Sequence, residues 1–185
     1  MDSTKIEIIE AAVRELGTNP RANMSEIARA AGVQRVTVHR YFGSREALIR
    51  SIAEWALSQV DEAVRAVAER AASPIERLTD VIKRLVPVAD RVRFLYTNPE
   101  MWREPELRSR LEVIEKQLRS WVDEAKKLGE ISSEFPSAWV VAAIDGLLYA
   151  ALEANRAGDI ATNDMANLVV ATLLRGVADS TRGSR

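Results

Sequence analysis

Asn23-Met-Ser-Glu-Ile-Ala-Arg-Ala-Ala-Gly-Val-Gln-Arg-Val-Thr-Val-His-Arg-Tyr-Phe42 is the stretch on which the reading of the fold turns. Asn23 with Glu26 three residues on has the pattern of a capping box, in which two side chains satisfy backbone N–H groups that the first turn of a helix leaves open. The spacing predicts a short helix through Ala31, closed by Gly32. Val33-Gln34 reopens the chain into another short helix to about Phe42, and Gly43-Ser44 breaks it. Small Ala28 and Ala31 permit close helix approach, while Val33, Val38 and Phe42 hold the second helix against the first. That is the pattern of a helix-turn-helix; a generic helical hairpin would pack in the same way.

Working outward, apolar residues recur at spacings of three and four, and no stretch alternates with period two. The chain therefore reads as all-α. A first helix places Ile6, Ile9, Val13 and Leu16 on one stripe, with Thr4-x-x-Glu7 as its expected capping box and Gly17 as its stop. After Ser44 the helices lengthen. The fourth should run from Arg45 to about Ala72, and Ser73-Pro74-Ile75-Glu76 restarts the chain into a fifth, which Pro87 ends or kinks. A sixth covers about Val88 to Tyr96. The seventh carries Leu107, Leu111, Ile114, Leu118, Trp121, Ala125 and Leu128 on one face. The eighth, about Pro136 to Arg156, has Asp145 as its only charge between Ala138 and Leu152, which implies apolar surroundings on most sides. The ninth runs from about Asn163 to Ala178. About nine helices thus divide into a three-helix N-terminal module, residues 1–47, and a helical bundle, residues 48–185, joined by a long helix.

Composition excludes several chemistries. The 185 residues include no Cys and one His, so thiolate metal sites, cysteine nucleophiles and histidine-based triads have no ligands or bases to use. No metal and no cofactor is expected. The carboxylates sit among Lys and Arg, as at Glu112, Glu115 and Lys116, without a phosphate loop, so the chain is not expected to be an enzyme. Met1 to Lys5 leads into an amphipathic segment, and no run of about eighteen apolar residues occurs; no secretion signal or membrane partner is expected. Net charge is −1, yet residues 20–50 carry six Arg against two Glu, a local +4. That distribution fits a small DNA-reading module on an otherwise acidic protein, and equally a solvated charged face.

Ile27-Ala28-x-x-Ala31-Gly32-Val33, followed by Thr37-Val38-His39-Arg40-Tyr41-Phe42-x-Ser44-Arg45-Glu46-Ala47-Leu48, resembles the signature of the tetracycline-repressor (TetR) family of bacterial transcriptional regulators. The match covers about the first 50 residues; beyond them the agreement lies in helix number, length and order. The resemblance implies that the helix from Gln34 to Phe42 lies in the DNA major groove. Arg35 then offers a bidentate fork to guanine, Gln34 an amide for adenine, and Val36 and Thr37 apolar contact with a thymine methyl. Ser25 resembles a DNA-contacting position, and His39, Tyr41 and Arg45 resemble positions that clamp the phosphate backbone, with Arg40 a further candidate contact. The family usually has Tyr where this chain has His39. A protonated His39 donates more strongly to phosphate, so DNA affinity could rise as pH falls; an inert exposed His is the alternative.

For the larger part the resemblance implies dimerisation and a small-molecule inducer. Helices eight and nine are apolar over more of their circumference than one internal contact requires, which marks Trp139, Ala142, Ala143, Gly146, Ala150, Leu168 and Thr172 as a dimer surface, or as ordinary core. Phe94, Tyr96, Met101, Trp102, Trp121 and Tyr149 could enclose a flat hydrophobic ligand, with Asp145 favouring a cation; aromatics at helical spacing also serve as core. The expected protein is a cytoplasmic, homodimeric, ligand-responsive repressor binding an inverted-repeat operator in double-stranded DNA. A helical protein-interaction module with a non-functional helix-turn-helix is the alternative.

Overall fold

An Asp, a Ser and an Asn at three helix starts set much of the local structure. In a computed structural model of the chain, which describes residues 2–70, 72–98 and 104–177, α1 (Ser3–Thr18) is capped by Asp2, whose carboxylate accepts from the Thr4 backbone N–H at 2.9 Å. The expected Thr4 cap gives way because Asp2 takes up the extended cap geometry and draws Ser3 and Thr4 into the helix. The Asn23 and Glu26 box opens α2 (Met24–Ala30) as read, with Asn23 N donating to Glu26 Oε2 at 2.7 Å. The chain continues as α3 (Arg35–Phe42), α4 (Arg45–Ala68), α5 (Pro74–Leu85), a 3-10 turn at Val86–Val88, α6 (Ala89–Thr97), α7 (Pro105–Lys127), α8 (Ser137–Ala157), a 3-10 turn at Thr162–Asp164, and α9 (Met165–Val177). All regular structure among the described residues is helical.

Two further boundaries differ from the reading. α4 stops at Ala68 rather than Ala72, because Ser73 must be extended to cap α5 with Pro74 in its first turn and a reciprocal box to Glu76. Those cap bonds, the backbone one foremost, hold the Glu76 carboxyl below its ordinary value. α9 starts two residues late, behind a 3-10 turn. Pro87 acts as expected, in the 3-10 turn that separates α5 from α6.

The chain forms two units, Met1–Ser58 with Asp90–Leu107, and Gln59–Ala89 with Arg108–Arg185. In the first, Ile8, Ile9, Ala12, Ile27, Val38 and Leu48 are sealed from solvent. The Ile, Val and Leu side chains among them each contribute about 1.5–3 kcal/mol by burial. α6 joins this unit through two arginines. Arg91 Nη2 meets Glu10 Oε1 of α1 at 3.0 Å and its guanidinium lies 4.0 Å from the Trp55 ring centre of α4, while Arg93 points its Nη atoms at Gly17 O. The N-terminal unit therefore takes in a segment that the reading assigned to the bundle.

In the second unit α5, α8 and α9 pack on one another. Ile114, Leu118, Trp121 and Ala125 of α7 are buried as their stripe predicts; Leu128 falls just past the helix and is half exposed. α8 departs from the expectation of apolar surroundings: Val140, Val141, Ile144, Leu148 and Ala151 face inward, but Ala138, Trp139, Ala142, Gly146 and Ala150 are exposed. By length and composition α8 could cross a bilayer, with 28% of its apolar window buried. Its partners within the unit cover one side only.

Candidate nucleic-acid interface

The turn between α2 and α3 is built from backbone hydrogen bonds. Val33 N donates to Ala28 O at 3.0 Å and Gly32 N to Arg29 O at 3.1 Å, the nested pair that ends a helix on a left-handed residue. Gly32 supplies that conformation at φ +66°. Val38 and Phe42 are buried against the unit, so the opposite side of α3 must face outward. Gln34, Arg35, Val36, His39 and Arg40 are all exposed, and Thr37 is half-buried. Val36, at 66% exposure, is an apolar side chain held in water.

Gln34, the residue before α3, makes no side-chain cap bond to it. The first turn of α3 is thus an open helix N-terminus, where backbone N–H groups and the helix dipole favour an anion. Ser25 is exposed in the first turn of α2, its backbone N–H turned back to Asn23 Oδ1 at 2.9 Å. Arg35, Gln34, Val36 and Ser25 lie within two short, rigidly joined helices, as base and backbone readers in a groove must.

The remaining candidates are engaged within the protein. His39 Nδ1 lies 2.9 Å from Gly43 O, an acceptor, so Nδ1 carries the proton and Nε2 of the neutral ring can only accept. Tyr41 OH donates to Asp2 Oδ2 at 2.8 Å, and the Arg40 guanidinium lies 5.4 Å from the Tyr41 ring centre. Arg45, read as a phosphate clamp, directs Nε to Ala22 O at 3.1 Å and Nη2 to Pro20 O at 2.7 Å. Sequence reasoning missed Asp2 and the Pro20 and Ala22 carbonyls. Asp2 precedes Ser3-Thr4 in a cap pattern that could have been read; the carbonyls carry no side-chain signal.

The other predicted sites are divided between the units. Phe94, buried, and Tyr96, exposed, belong to the first unit; Trp121, buried, Asp145, half-buried, and Tyr149, exposed, belong to the second. Met101 and Trp102 lie outside the described residues. A cavity of about 140 Å³ in the first unit is lined by Val13, Leu16, Phe94 and Asn98, among others, and includes one of the predicted aromatics. Trp139, Ala142, Gly146, Ala150, Leu168 and Thr172 are exposed together on α8 and α9, with Ala143 half-buried.

Residues 8–52 match the family model for bacterial regulatory proteins, tetR family. The HTH-type transcriptional repressor LfrR of Mycolicibacterium smegmatis is 27% identical over 180 residues, spanning 95% of this chain and 91% of that protein. The HTH-type transcriptional regulator NfxB of Pseudomonas aeruginosa is 23% identical over 177 residues, 95% of each. The crystal structure of the TetR-like regulator LfrR from Mycobacterium smegmatis in complex with proflavine aligns at a TM-score of 0.75 and 25% identity, covering 94% of this chain and 96% of that one.

Proposed function

Since this chain belongs to the TetR family of bacterial regulatory proteins, a DNA-binding transcriptional regulator, we propose that it acts as a dimeric repressor whose α3 helices read an inverted repeat and release it when a ligand binds. The observation that carries the reading is the exposed face of α3 beside an uncapped N-terminus, fixed from behind by Val38 and Phe42. Arg35 reads guanine, Gln34 adenine, and Val36 and Thr37 a thymine methyl, while Ser25 and Arg40 hold phosphates; His39 and Tyr41, whose protons go to Gly43 O and Asp2, hold the helix that presents them. Residues 1–47 carry this reading and residues 48–185 the control of it.

Dimerisation runs through the outer face of α8 and α9. Trp139 and Leu168 expose 63% and 45% of their surface there. Gly146 stands mid-helix on the same face, where a Cβ would meet nothing within 4 Å in the chain itself. A glycine costs a helix about 0.5–1 kcal/mol, and here it leaves room for a second backbone to come close. Paired half-sites about 34 Å apart, one turn of DNA, demand two-fold symmetry of this kind.

The ligand is a flat hydrophobic molecule, with a positive charge if Asp145 faces it. Proflavine, a planar aromatic cation, is the first probe. To derepress, the ligand must favour the conformation that does not fit DNA, by a coupling of about 1–3 kcal/mol.

Selection of the purified chain against random duplex DNA, followed by binding of the recovered sequence at two salt concentrations, tests the function. One inverted repeat with steep salt dependence is expected. Absence of any motif at low salt would leave the exposed α8 and α9 face as the working surface and make a protein partner the better reading.

A further inference from the structure

We infer that Arg45 is a positioning residue for DNA reading: its guanidinium closes the helix-turn-helix by tying the start of α4 to the loop before α2. The role rests on the DNA-reading function proposed above. Nε and Nη2 reach Ala22 O and Pro20 O across 23 and 25 residues of chain. These acceptors immediately precede Asn23, the cap of α2. Arg45 itself opens α4, directly behind Gly43 and Ser44, where Ser44 Oγ accepts from Ala47 N at 3.1 Å. One planar group thus holds both ends of the motif.

The loop's other bonds do a different job. Ala22 N donates to Asn19 O at 2.9 Å and Arg21 N to Asn19 Oδ1 at 3.3 Å, which folds the loop onto the end of α1. Arg45 connects it to α4, and Ala22 is fully enclosed at that point. The edge formed by Nε and Nη2 is one of the two that could take a phosphate bidentately, and two carbonyls occupy it. Lysine keeps the charge but offers a single nitrogen, so it cannot span both acceptors in the same geometry.

The test titrates the full chain, Arg45→Lys and Arg45→Ala against the duplex selected by the unaltered protein and against an unrelated duplex, at several salt concentrations. Thermal melts and amide exchange at residues 22–25 are followed without DNA. Positioning predicts that both variants lose about tenfold or more on the selected duplex and about twofold or less on the unrelated one, with the salt slope unchanged. It also predicts faster exchange at residues 22–25 in both variants. The role is overturned if Arg45→Lys binds like the unaltered chain while Arg45→Ala loses equally on both duplexes and its slope falls by about 0.9. Should Arg45→Ala unfold, Arg45→Lys and its exchange rates decide alone. Failure of the unaltered chain to select any duplex refutes the DNA-reading function instead.

Discussion

The Tyr41 hydroxyl donates to Asp2 Oδ2 at 2.8 Å, and through it the recognition helix is fastened to the residue that caps α1. One carboxylate serves both helices, because its other oxygen accepts from Thr4 N. The Tyr41 bond foremost, then the Thr4 bond, hold the Asp2 carboxyl below its ordinary value of 3.8. Folding lowers this pKa, so the contribution is present above the ordinary value and is lost as pH falls through the folded one. In Tyr41→Phe the Asp2 titration, followed by NMR, should move up toward the ordinary value. An unmoved midpoint would show that Tyr41 does not hold the carboxylate.

Arg35 has the exposure and position of a base reader. Arg35→Ala should cost about 1–3 kcal/mol at one operator position and relax base preference there, measured by competition among singly substituted duplexes. Equal loss on every duplex would assign Arg35 to the phosphates instead.

His39 donates from Nδ1 to Gly43 O at the end of α3. His39→Ala removes that bond and should weaken binding to the selected duplex, read from binding isotherms at one salt concentration. Equal affinity of the two proteins would leave the Gly43 bond without a part in DNA binding.

Arg91 binds two elements of the N-terminal unit at once, Glu10 by charge and Trp55 by its ring face. Arg91→Ala should destabilise by about 1–2 kcal/mol in denaturant melts. The fluorescence of Trp55 should shift with it, and unchanged emission in the folded variant would argue against the stacking.

Much of the N-terminal module was legible because its determinants are local. Asn23 with Glu26, Gly32, and the Val38 and Phe42 pair lie within one or two turns of what they control, and the structure reproduces each. The role of Arg45 was not legible, since its acceptors are backbone carbonyls more than twenty residues away and any residue type could supply them. Tyr41 met Asp2 across 39 residues for the same reason. α8 taught a different lesson. Its composition announced burial on most sides, but apolar content does not say whether the covering surface lies in the same chain, and among the described residues Trp139 and Ala142 stay exposed.

Trp139 and Leu168 sit on opposite members of that uncovered helix pair. Trp139→Lys or Leu168→Glu should shift the chain from dimer to monomer in sedimentation at micromolar concentration while leaving its helix content intact. A dimer that survives both changes would place the contact elsewhere.

The association proposed through α8 and α9 would also bring mass action into gene control. A subunit whose apolar face is covered by a twin melts at a temperature that rises with total protein, because assembly draws on the folded state alone. Below the dissociation constant of the pair, operator occupancy follows the square of subunit concentration. Expression is then set by how many copies the cell keeps as well as by ligand, and a modest fall in copy number frees the promoter more abruptly than a single-site isotherm allows.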